Sequence, residues 1–136
     1  MKILHVSCAI IEKDGLVLVA QRSKTMSLPL KWEFPGGKLD PNENAENCLV
    51  REIKEELGVD INILSSQPPS DWQYSAFAII LYPFVCNLGP GKISLADHKA
   101  ISWVKPVDLL DLDWAEADIP VVQNYLAHLS GGVYVQ

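Results

Sequence analysis

The stretch YSAFAIILYPFVC, Tyr74 to Cys86, is a nearly continuous apolar run rich in β-formers. It lacks the strict alternation of a strand with one wet face, so it predicts a central strand buried inside a sheet. Pro83 withholds one donor from that strand without ending it. A chain of 136 residues is long enough for one proper core and too short for two. Residues 1–136 therefore read as a single domain.

The rest of the chain supplies the neighbours and the cover. ILHVSCAIIE and LVLVAQR are β-rich runs joined by Lys13-Asp14-Gly15, a hairpin signal. SKTMSLPLKW reads as a loop broken by Pro29, and EFPGGKLDPNE as turn chemistry throughout. From Glu43 to Leu57 the period is helical, with Leu49, Val50, Ile53 and Leu57 as the apolar arc. VDINILSS and HKAISWVKP read as further strands, VDLLDL as a short helix, and ADIPVVQNYLAHL as a closing helix with Pro120 in its first turn. The expectation is an α/β (α+β) fold, a mixed β-sheet sandwiched between helices.

The end of the major helix is chemically odd. REIKEELG places Glu52, Glu55 and Glu56 at i, i+3 and i+4, on one face. Gly58 is the residue that stops the helix. A carboxylate near a helix C-terminus is unfavourable by about 0.3–1 kcal/mol, so three of them call for something positive nearby. The acidic arc lies beside the apolar one, which turns one edge of the helix to the core and the other to a cleft.

Composition removes several classes of function. The formal net charge of −6 argues against wrapping a nucleic-acid polymer, though a small polyanion can bind where metal ions neutralise the site. Cys8, Cys48 and Cys86 are odd in number and lack CxxC spacing, so they read as small buried hydrophobes in a reducing compartment. At the start, Lys2 and the apolar residues after it imitate a signal peptide, but His5 interrupts it and Glu12, Lys13 and Asp14 end it. No run is long enough to span a membrane. A cytoplasmic protein is expected.

Spacing then ties the loop to the helix. Gly37, five residues, Glu43, seven residues, then REIKEELGV from Arg51 to Val59 follow the pattern G-x5-E-x7-R-E-U-x-E-E-x-G-U, with Ile53 and Val59 as the bulky aliphatics. In this the chain resembles the Nudix hydrolases, and the predicted strands and helices suit the Nudix fold over nearly its whole length. The resemblance implies hydrolysis of a nucleoside diphosphate linked to another group. It also implies Mg²⁺, or Mn²⁺ in its place, held by Glu52 and Glu56 with Glu55 close behind, and by the carbonyl of Gly36. Arg51 can pair with Glu55 or with Glu43, and the resemblance makes it the residue that orients the catalytic glutamate. Glu43 has a structural or a catalytic role. Apart from the pattern, three neighbouring glutamates would be a solvated helix face.

FPGGK is not a phosphate loop, because Trp32 stands where a glycine and Leu39 where a Ser or Thr would be needed. Lys38 and Arg22 are instead candidate phosphate contacts, with a solvated surface charge as the alternative for each. LKWEFPGGKLDPNE and AEADIP look like the MutT branch, which converts a nucleoside triphosphate to the monophosphate and pyrophosphate, with CTP, dCTP and 8-oxo-dGTP as the substrate types. Asp118 stands where that branch contacts the base; as an ionised carboxylate it would only accept hydrogen bonds. Its alternative is a helix cap before Pro120. Asp97 matches a further acidic residue near the metals, or is a turn residue. Phe34, with Trp32, Tyr74 and Phe77, either stacks on the base or belongs to the core.

Other readings share parts of this pattern. ADP-ribose hydrolysis would favour a proline where Gln73-Tyr74-Ser75 stands, and dinucleoside polyphosphates a nearby tyrosine such as Tyr74. A catalytically dead binding domain would tend to have lost glutamates that this chain keeps. The expected partner is a small-molecule nucleotide, with no nucleic-acid polymer and no membrane, acting on a monomer or homodimer.

Overall fold

The computed structural model describes residues 2–96, 98 and 100–131. The long apolar run forms β7 (Phe77–Leu88), flanked along one edge by the parallel strand β1 (Lys2–Lys13) and along the other by β5 (Ile61–Ser66) and β6 (Ser70–Gln73). It is therefore central, as its composition requires. Pro83 keeps its place because its carbonyl still accepts from the backbone N–H of Gln67 at 2.9 Å.

β1 turns into β2 (Leu16–Gln21) through Asp14 and Gly15, both at positive φ (53° and 77°), the conformation of a two-residue hairpin whose twist matches its strands. The two strands pair only at Glu12↔Val17 and Lys13↔Leu16. Further back, β1 pairs instead with β4 (Gly36–Lys38) from Val6 to Cys8, while β2 pairs with β3 (Trp32–Glu33) and β8 (Ala100–Val104). The turn-rich stretch after Trp32 thus carries two short strands that local composition does not announce. Their pairing opens the sheet into two wings with a cleft at their divergence.

Alternation along β1 builds two cores. Cys8 and Ile10 face one cluster with Leu81, Val121 and Tyr125, while Ala9 and Ile11 face the other with Leu49, Ile53 and Leu57. The second is covered by α1 (Ala45–Leu57), the first by α2 (Ile119–Leu129). VDLLDL lies in a 3-10 segment, Pro106–Asp111, with its last residue, Leu112, just past the end.

α1 starts later than its period suggests. Asn44 is the cap, its side chain accepting from the N–H of Asn47 at 2.7 Å, so Glu43 lies before the helix and not in its first turn. The apolar arc is Cys48, Leu49, Ile53 and Leu57; Val50, one step further round, is 39% exposed. Gly58 ends the helix in the left-handed conformation (φ 72°). Beyond β7 the chain returns over this end, with Ser94 N–H donating to Leu57 O and Ala96 N–H to Glu56 O. Carbonyls left open by the helix terminus are satisfied in this way. All three cysteines are free and buried. Among the described residues, no helix is long and apolar enough to cross a membrane.

Candidate active site

A cavity of about 430 Å³ opens where the wings diverge. Its floor is apolar, with Val6, Cys8, Ile79 and Leu81 from β1 and β7, and Tyr74 and Phe77 as a stacked pair with centroids 5.0 Å apart. Its polar lining comes from Glu33, Lys38, Glu56 and His98, with Gly36 and Lys38 paired beside Cys8 and Val6. Met26, Ser27 and Leu28 of the loop after β2 close one side.

The answer to the acidic helix end begins with Arg51. Its Nε and Nη2 donate to the two oxygens of Glu43 at 2.8 and 2.9 Å, and Nη1 donates to Glu52 at 2.9 Å and to Glu55 at 3.2 Å. The two pairings left open by spacing, with Glu43 and with Glu55, both occur. Glu43 is held down to about 2 by the guanidinium hydrogen bonds and by the Asp40 N–H, and Arg51 is pushed above its ordinary value by the same carboxylates. Glu52 moves the other way, because burial outweighs Arg51 and raises its carboxyl.

Gly37 makes room for that arrangement, since the Glu52 carboxylate lies where a Cβ at position 37 would be. Along β4, Pro35 O accepts from Ala9 N–H and Leu39 N–H donates to His5 O, both toward β1, whereas Lys38 O turns to Arg51. Strand alternation puts the Gly36 carbonyl on the same outward edge as that of Lys38. Glu52 and Glu56, one helical turn apart, and this carbonyl make an all-oxygen donor set. Such a set suits Mg²⁺, which completes its shell with water and phosphate. Among the described residues, no three His, Cys, Asp or Glu side chains form a ready cage. Asp97 lies outside the described residues.

The other expected residues divide. Lys38 and Arg22 both line the cavity, but the Arg22 guanidinium is already turned to Ser27 O, Ser27 Oγ and Glu33. Phe34 is 3% exposed, its ring packed on Trp114 at 4.9 Å. Trp32 pairs with Trp114 away from the cavity. Asp118 precedes α2 without making a capping bond; its Oδ2 accepts from Phe34 N–H at 2.9 Å on the cavity wall. Burial first, and Glu33 second, raise its carboxyl well above the usual range, against the lowering effect of the Phe34 N–H and of Arg22. Two lining residues, Glu33 and His98, escaped sequence reasoning. The only local signal was a histidine between charged residues just before a strand, which says nothing about a site.

The NUDIX domain model matches residues 1–125 of the chain. The chain is similar to the CTP pyrophosphohydrolase of Escherichia coli (strain K12), 35% identical over 127 residues, covering 93% of this chain and 94% of that protein. It is 34% identical over 117 residues to a putative 8-oxo-dGTP diphosphatase 2 of Mycobacterium tuberculosis (85% of this chain, 82% of the relative). Its fold is similar to the solution structure of MutT, a Nudix-family hydrolase of methicillin-resistant Staphylococcus aureus 252, with a TM-score of 0.76 and 40% identity over 94% of this chain and 99% of that one.

Proposed function

The chain belongs to the NUDIX domain family, and on that premise we propose that it is a MutT-like nucleoside triphosphate pyrophosphohydrolase. It turns a nucleoside triphosphate and water into the monophosphate and pyrophosphate, a hydrolysis of a phosphoric anhydride bond. The substrates are CTP or dCTP, or the oxidised purine 8-oxo-dGTP; CTP and 8-oxo-dGTP are the nucleotides in the relatives' names. It works on free nucleotides in the cytoplasm, as a monomer or homodimer. One observation carries the reading: a single cavity is lined both by apolar and aromatic side chains with Asp118 and by Gly36, Lys38 and Glu56. A base and a polyphosphate need those two environments side by side.

Glu52, Glu56 and the Gly36 carbonyl would hold Mg²⁺ or Mn²⁺, with Glu55, and on the sequence reading Asp97, as further carboxylate ligands. When bound, the cation neutralises phosphate charge and activates water. Arg51 keeps Glu52 and Glu55 in place. Glu52 or Asp97 accepts the proton of the attacking water on a carboxylate oxygen. Lys38 meets phosphate as a point charge, and Arg22 does so through N–H groups that Ser27 and Glu33 leave over. Asp118 orients the base through the oxygen not used by Phe34. As a carboxylate this oxygen accepts from the N4 amine of cytosine or from N–H groups on a guanine edge; carrying a proton, it donates to an acceptor such as N3 of cytosine. Positioning and electrostatics supply most of the rate.

Steady-state assays with CTP, dCTP, 8-oxo-dGTP, dGTP and ADP-ribose, with product identification and with or without chelator, test the reading. Release of pyrophosphate from one of the first three as best substrate is expected, with loss of turnover in chelator. Glu56→Gln should lower kcat by roughly 10²–10³-fold, the range for losing one group that stabilises developing charge. ADP-ribose as best substrate, or full turnover in chelator, would overturn it.

A further inference from the structure

Arg51 donates to Glu52 and Glu55, while the side chain of Glu56, the third glutamate of that face, lines the cavity. The chain that returns over the end of α1 brings His98 there. Ala96 N–H donates to Glu56 O at 3.1 Å, and two residues on, the His98 side chain is only 4% exposed. Its Nδ1 lies 3.6 Å from Glu56 Oε2, and its Nε2 donates to Glu33 Oε2 at 2.7 Å. The other oxygen of Glu33 accepts from Arg22 Nη1 at 2.8 Å, and Arg22 is in turn bound to Ser27 on the cavity rim.

A buried imidazole whose far nitrogen is held by a carboxylate has a fixed ring plane, the arrangement by which outer groups orient a ligating side chain. The polar chain Ser27–Arg22–Glu33–His98–Glu56 crosses the cleft from the β2/β3 wing to α1. Glu56 sits at a helix end that does not favour its charge, so its orientation depends on what packs against it. We propose that His98, backed by Glu33, is a positioning residue that fixes the Glu56 carboxylate for the divalent cation. This rests on the reading of Glu56 as a ligand.

Mn²⁺ affinity, measured on the full chain without nucleotide by electron paramagnetic resonance, tests it with thermal melting alongside. His98→Ala should weaken Mn²⁺ binding by about 10–100-fold, the range for losing an outer partner of a metal ligand. Glu33→Gln, nearly isosteric, should weaken it by a smaller factor while the chain stays folded. His98→Asn, whose amide nitrogen falls near the Nδ1 position, should recover part of the loss, and His98→Gln, which reaches toward Nε2, should recover less. If Glu56→Gln loses Mn²⁺ while the His98 and Glu33 variants keep wild-type affinity, the positioning role is overturned and the ligand role of Glu56 stands. If Glu56→Gln also keeps its affinity, both fail together. Should His98→Ala not fold, Glu33→Gln and His98→Asn carry the same comparison.

Discussion

The Glu52 carboxylate fills the space above Gly37: a Cβ at position 37 would lie 2.7 Å from Glu52 Cγ and nearer still to the carboxyl group. At the preceding residue, a Cβ on Gly36 would meet backbone, 2.8 Å from Cys8 Cα and closer to Ser7 O. A side-chain end can move aside and a paired strand cannot. Gly37→Ala should therefore fold and lose kcat/KM by about 10²-fold, the scale for misplacing a catalytic group by an ångström. Gly36→Ala should lose at least about 1–3 kcal/mol of stability, as overpacking does. Melting curves and kinetics on the two variants check the contrast; equal effects of both kinds would contradict it.

Asp118 combines a buried carboxyl, raised well above its ordinary range, with a hydrogen bond from Phe34 N–H. A raised carboxyl costs the fold more as pH climbs past its unfolded value of about 3.9. The cost stops growing only above the folded value. Asp118→Asn keeps an acceptor for Phe34 and never ionises. Its melting temperature should therefore exceed that of wild type by a margin that widens from about pH 4 upward. Asp118→Ala should lower kcat/KM for the best nucleotide by about ten- to a hundred-fold and hurt poor substrates far less. A constant margin, or an unchanged substrate ranking, would count against this account.

Glu43 titrates in the opposite sense. Arg51 and the Asp40 N–H hold it at about 2, below the unfolded value of about 4.3. The stability it contributes is fully present above about pH 4.3 and is lost as pH falls toward 2. The melting-temperature gap between wild type and Glu43→Gln should thus be flat at neutral pH and close across that acid window. A gap that persists to the bottom of the window would assign Glu43 no role in the ion-pair cluster.

What the sequence determined by itself is whatever covalent geometry repeats. A helix puts Glu52, Glu55 and Glu56 on one face in any surroundings, Asp14-Gly15 makes its hairpin from two residues, and an apolar run such as Phe77–Leu88 has nowhere to go but the middle of a sheet. Gly37 and the glutamates were legible together because their spacing records one loop meeting one helix. The tertiary structure decided what depends on register between distant strands. Val50, expected in the apolar arc, is left part-exposed as α1 packs against β1, where the Ser7 hydroxyl donates to Cys48 Sγ. Asp118 turned from its helix to Phe34, 84 residues away in sequence. Arg22 was drawn into Ser27 and Glu33, and His98 reached Glu56 only because the chain after β7 satisfies carbonyls at the end of α1. Side chains so far apart in sequence carry no common period, and their encounter is written in strand pairing, where shifting one residue exchanges one face for the other.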